Sequence, residues 1–143
     1  HMRTFLTSFA LVAALVAAAQ TQVLITNVSV TEKESSSTGN GTTIQLNHDE
    51  GADRAVIYEQ GDLRAKVWCK VSTHNVRRSS LKDSAVNLMF EIDLDAGRDH
   101  DNKRVEKIFY MDQTRTTTIT QKFNFKQGIN MRVVTLKFDA EIK

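Results

Sequence analysis

Period-two alternation of apolar and polar residues dominates the chain after residue 20. The clearest case is "LRAKVWCKVST", where Leu63, Ala65, Val67, Cys69 and Val71 share one parity and Arg64, Lys66, Trp68 and Lys70 the other. Successive side chains of a strand point to opposite faces, so this pattern predicts a half-buried strand with Cys69 packed inward as a small hydrophobe. "AVNLMFEIDLD" repeats the pattern: Val86, Leu88, Phe90, Ile92 and Leu94 face in, while Asn87, Glu91, Asp93 and Asp95 face out, with Met89 as the exception. Near the C-terminus Val134, Leu136, Phe138, Ala140 and Ile142 face in, but Ile129, Met131 and Val133 have the opposite parity. A β-bulge near Val133 and Val134 would reconcile the two phases.

Five further segments rich in β-branched and aromatic residues read as strands: 22–30, 42–46, 54–58, 103–111 and 115–125. "KQGIN" reads as a hairpin turn, and "ESSSTGNG", "NHDEGAD", "EQGD" and "DAGRDHDN" as further turns or loops. The polar stretch 32–41 is the most flexible by composition, a loop or mobile arm. Segment 77–85, "RRSSLKDSA", fits one helical turn or a crossing loop. About eight strands at this spacing predict an all-β fold, two antiparallel sheets packed face to face as a β-sandwich. It is immunoglobulin-like only in that loose sense, because the Cys…Trp…Cys spacing of true immunoglobulin domains is missing.

The N-terminus carries a different signal. His1 before Met2 reads as a cloning remnant. Arg3 supplies a positive charge, an apolar run extends from Phe5 to Ala19, and Ala17 and Ala19 provide small residues for cleavage before Gln20. This pattern predicts a signal peptide over 1–19 and a single β-sandwich domain over 20–143, hence a secreted, extracellular protein. The competing reading keeps the apolar segment, and only then is a membrane partner expected. Loss of residues 1–19 leaves 18 basic against 17 acidic residues, a net charge of +1. That is too little to argue for nucleic acid. With one cysteine in the sequence, no internal disulfide can form and packing must carry stability.

Two candidate sites stand out. In "EIDLDAGRDHDNKR", Asp93, Asp95, Asp99 and Asp101 offer hard oxygen ligands and Gly97 a sharp turn. The EF-hand order does not fit, since Gly97 and Arg98 fall where a ligand and the glycine belong. The alternatives are weak calcium binding, zinc through His100, or a solvated charged hairpin tip that discourages edge-to-edge association. No other cofactor is expected. The second candidate is the outer face of Arg64, Lys66, Trp68 and Lys70. An exposed tryptophan among cations can stack on a sugar or receive an anionic glycan, and the same side chains suit a protein partner. Against both stands a covered Trp68 with snorkelling lysines.

The sequence has no nucleophile elbow, phosphate-binding glycine loop or zinc-enzyme histidine spacing; His48 and His74 sit alone in turn-like stretches. Sequons occur at Asn27, mid-strand, and Asn40, in the polar loop. Together these features predict a non-enzymatic extracellular module for structure, cell adhesion or protein binding, pairing with another protein or with itself. A carbohydrate-binding module, assisted by calcium, is the alternative.

Overall fold

A computed structural model describes residues 22–46, 54–72, 85–110, 113 and 115–143. The predicted leader, His48, His74 and the 77–85 segment lie largely or wholly outside the described residues. Among these residues the protein is all-β, with nine strands in two antiparallel sheets, as a β-sandwich requires. The strands are β1 (Gln22–Glu32), β2 (Ser35–Thr38), β3 (Thr42–Gln45), β4 (Ala55–Gln60), β5 (Leu63–Val71), β6 (Ala85–Ala96), β7 (Asp99–Tyr110), β8 (Thr116–Gln127) and β9 (Asn130–Ile142).

One sheet runs β4-β5-β6-β7; the other runs β2-β1-β9-β8, with β3 also paired to β1. The four-stranded sheet is a plain meander. The immunoglobulin likeness therefore extends to two antiparallel sheets face to face and not to Greek-key connections. Hairpins β4–β5, β6–β7 and β8–β9 close with two-residue loops, as the pairs Gln60↔Leu63, Ala96↔Asp99 and Gln127↔Asn130 show. Each loop begins with a glycine at φ between 61 and 66, the mirror-image turn whose twist matches that of the flanking strands. The turns read from "EQGD", "DAGRDHDN" and "KQGIN" are those hairpins.

The inward parities expected for β5, β6 and β9 hold: Ala65, Val67, Cys69, Leu88, Phe90, Ile92, Leu94, Val134, Leu136, Phe138 and Ala140 are fully buried in one core shared by both sheets. Phe90 on β6 joins the sheets, its ring centroid 6.3 Å from both Phe109 on β7 and Phe138 on β9.

Two expectations require correction. The 32–41 stretch is no mobile arm, because Ser35–Thr38 forms β2 along β1 and the Gly39 and Asn40 amides donate to the Val28 and Ile57 carbonyls at 2.9 and 2.8 Å. The bulge is not at Val133 and Val134, where the β8–β9 register runs without a break. The register shifts instead in β4 between Val56 and Tyr58 and in β1 between Thr26 and Ser29, with Asn27 at φ 52. The extra residue in β1 shifts the phase, so Val23 and Ile25 before it and Val28 and Val30 after it all reach the core. Ile129 and Met131 break parity because they sit at the exposed β8–β9 tip. Of the two sequon asparagines, Asn27 donates its amide to Asp139 at 2.8 Å, whereas Asn40 is exposed.

Candidate functional site

Strand register turns the two candidates into parts of one arrangement. In the β5–β6–β7 sheet, Arg64 lies beside Asp95 and His100, Lys66 beside Asp93 and Asn102, Trp68 beside Glu91 and Arg104, and Lys70 beside Met89 and Glu106. Directly opposed residues point to the same face, so these four rows share the outer surface of the sheet. The cations on β5 thus face the carboxylates on β6, and neither set stands alone.

The aspartates expected to act together are divided by the same register. Asp93 and Asp95 belong to the outer rows, while Asp99 and Asp101 pair with the inward Ala96 and Leu94 and so take the other face of β7. The outer pair is already engaged. Asp93 receives the Arg54 Nε at 2.6 Å and a hydrogen bond from the Asn102 amide, and Asp95 meets the His100 Nδ1 at 2.6 Å. Asp99 accepts at 3.4 Å from Gln127 across to β8. Among the described residues no group of three or more His, Cys, Asp or Glu is gathered as a metal ion would need.

The row through Trp68 departs from the alternation rule. Alternation assigns Trp68, Met89 and Glu91 to solvent, yet all three are buried, with Trp68 4% and Glu91 6% exposed. The reading of Trp68 as an exposed binding residue is therefore corrected and the covered alternative holds, with the Lys70 Nζ 5.6 Å from the ring centroid. A long cation lying over an aromatic face removes the face from water while keeping its own charge hydrated. The indole Nε1 is buried and has no hydrogen-bond partner among the described residues.

Glu91 is the charged centre of this row. The Arg54 Nη2 donates to it at 2.5 Å, the Asn102 amide at 2.9 Å, and the Arg104 Nε stands 3.8 Å away. Burial pushes its carboxyl upward, but hydrogen bonds from Arg54 and Asn102 and the charges of Arg54 and Arg104 outweigh this, and the group sits below its ordinary value of 4.5. The Arg54 guanidinium is held further in its charged form, chiefly by the hydrogen bond to Glu91. A carboxylate so fixed as an ion is a structural counter-charge and a poor proton acceptor.

Arg54, Trp68, Lys70, Met89, Glu91 and Arg104 line a shallow cleft of about 300 Å³. Its lining carries three cations and one carboxylate, with Asp93 also bound to Arg54 and Glu106 in the row of Lys70, which leaves Arg104 as the loosely paired cation. Of the sequence candidates, Trp68 and Lys70 line it; Arg64 and Lys66 lie along the same face outside it. Arg54, Glu91, Asn102 and Arg104 were not legible as site residues. The one local signal was Met89, an apolar residue on a parity otherwise polar. No protein family, curated protein or solved structure gives a match to this sequence.

Proposed function

We propose that the protein is a secreted, non-enzymatic β-sandwich that binds another protein through the outer face of β4–β5–β6–β7, as an extracellular structural or adhesion module. The observation that carries this reading is the Trp68–Glu91–Arg104 row. A buried tryptophan, a buried carboxylate and two arginines stand on a face whose neighbour strands do not need them for the core. Exposed arginine beside partly exposed apolar side chains suits a protein interface, and Arg104, Val56 and Ile108 supply these on this face, with the covered Trp68 as support beneath them. The leader pattern supports secretion. Stacking on a sugar needs an open ring face, and the covered Trp68 offers none, which disfavours the carbohydrate reading.

The test is a binding screen of the purified protein against extracellular protein ectodomains and a glycan array, run with the parent and with Ile108→Lys/Val56→Lys, both at exposed positions. Binding to one ectodomain, lost in the variant, is expected. Binding that ignores the variant, or saturation by glycans alone, overturns the reading. Sedimentation over a range of concentrations identifies a second copy as the partner if mass rises with concentration.

A further inference from the structure

We propose that the cleft beside Trp68 seats a carboxylate from an acidic segment of the partner protein; the proposal rests on the reading of this face as a protein-binding surface. The charge balance points there first. Arg54 is committed to Glu91 and Asp93 at 2.5 and 2.6 Å. Arg104 is not so committed: its side chain is 69% exposed and its contact with Glu91 is 3.8 Å, too long for a hydrogen bond. A guanidinium in this position presents a planar fork that matches an incoming carboxylate.

The second observation is the indole N–H of Trp68. It lies in a residue 96% buried and has no acceptor among the described residues. A buried donor without an acceptor is destabilising, and an oxygen brought beside the ring removes that penalty. The way in is past the end of Arg104, which borders the cleft with a flexible and largely exposed side chain. When it swings over an entering carboxylate, the anion gains the guanidinium as counter-charge beside the Trp68 ring.

Size and surroundings select the source. A cleft of about 300 Å³ accommodates the carboxylate of an Asp or Glu residue or of a protein's C-terminus. Val56 and Ile108, both partly exposed on the same face, suit the apolar neighbours of such an anchor in a protein better than a polysaccharide.

The protein's single tryptophan makes the site its own reporter. The full-length protein is titrated at 0.15 M salt with hexaglutamate peptide, with hexaglutamine as the neutral control and a heparin hexasaccharide as the acidic glycan, following tryptophan emission and heat of binding. Hexaglutamate should change the emission saturably and hexaglutamine should not. Arg104→Gln, at an exposed position that leaves the fold intact, should weaken binding about tenfold or more, as loss of a charge-assisted pair does. Trp68→Phe, followed by calorimetry after its melt is shown to match the parent, should weaken it severalfold. No saturable change with hexaglutamate, or a change indifferent to Arg104→Gln, overturns the carboxylate seat. Saturation by heparin alone overturns the peptide source. If hexaglutamate fails while Ile108→Lys/Val56→Lys still abolishes ectodomain binding, the seat is wrong and the protein-binding face stands. If hexaglutamate binds while ectodomain binding ignores that variant, the reverse holds.

Discussion

Arg132 on β9 and Asp62 in the β4–β5 turn meet side on, Nη1 to Oδ2 at 2.7 Å and Nη2 to Oδ1 at 2.8 Å. The same guanidinium donates to Glu32 on β1 at 2.5 and 3.2 Å. One arginine thereby ties a turn of the four-stranded sheet to two strands of the other. The hydrogen bond from Arg132 holds the Asp62 carboxyl below its ordinary value of 3.8, and the hydrogen bond to Asp62 is the largest cause holding Arg132 in its charged form.

Arg132→Ala should destabilise the protein by about 1–2 kcal/mol, a value kept modest because the Asp62 side chain is half exposed to solvent. Urea unfolding of Arg132→Ala, Asp62→Asn and the double variant checks it. A coupling of about 0.5 kcal/mol or more is expected. Additive effects would show that the clamp contributes only through Glu32.

Glu91 should set part of the acid limb of stability. Its folded carboxyl lies below the ordinary 4.5, so the unfolded form takes up the proton at higher pH than the folded form does. Its contribution is fully present above about pH 4.5 and is lost as pH falls through the lower folded value. Glu91→Gln should cost about 1–2 kcal/mol at pH 7 and flatten the fall in stability below about pH 4.5. An acid limb of unchanged slope would place the responsible carboxylate elsewhere.

Cys69 is free and fully buried, and burial pushes its thiol up to about 12. At pH 8 only about one thiol in ten thousand is then ionised, on the thiolate rule for reactivity. Labelling with a thiol reagent should be slow in buffer and fast in denaturant. Rapid native labelling or a disulfide-linked dimer on a non-reducing gel contradicts the inward placement.

Backbone sign should decide two turn substitutions. Lys33 opens the β1–β2 turn at φ 56, where a side chain is disfavoured, so Lys33→Gly should stabilise by about 0.5–1 kcal/mol. Gly97 has φ 66, and a Cβ there would stand 3.2 Å from the Asp62 carboxylate, so Gly97→Ala should cost about 1–2 kcal/mol. Thermal melts of both variants give the signs directly.

Millimolar calcium should leave the melting temperature within about 1 °C of its value in chelator. A millimolar site at tenfold saturation would add about 1.4 kcal/mol, a shift of several degrees for a domain of this size. The expectation rests on register, which puts Asp93 and Asp95 on one face of β6–β7 and Asp99 and Asp101 on the other. A clear calcium shift, abolished by Asp99→Asn with Asp101→Asn, would mean that the inner pair recruits ligands from another element.

Local alternation determined much of this fold. Leu63 to Val71, Leu88 to Leu94 and Val134 to Ile142 carry their inward parity in the sequence itself, since a strand's side-chain period is fixed at two. Gly61, Gly97 and Gly128 likewise announce their hairpins, because few other residues accept positive φ. β2 was illegible: "SSST" has no apolar phase, and it becomes a strand because the backbone of β1 offers it hydrogen bonds. The β1 bulge left a trace in the parity change from Ile25 to Val28, but its partner strand decided where the extra residue sits. Which residues stand opposite one another is a property of register between strands distant in sequence. Register alone placed Glu91 between Trp68 and Arg104, brought Arg54 onto that carboxylate, and divided four aspartates between two faces. Periodicity assigns a residue to a face; only the packed sheets determine its neighbours there, and those neighbours closed water away from a tryptophan and a glutamate on the outer side.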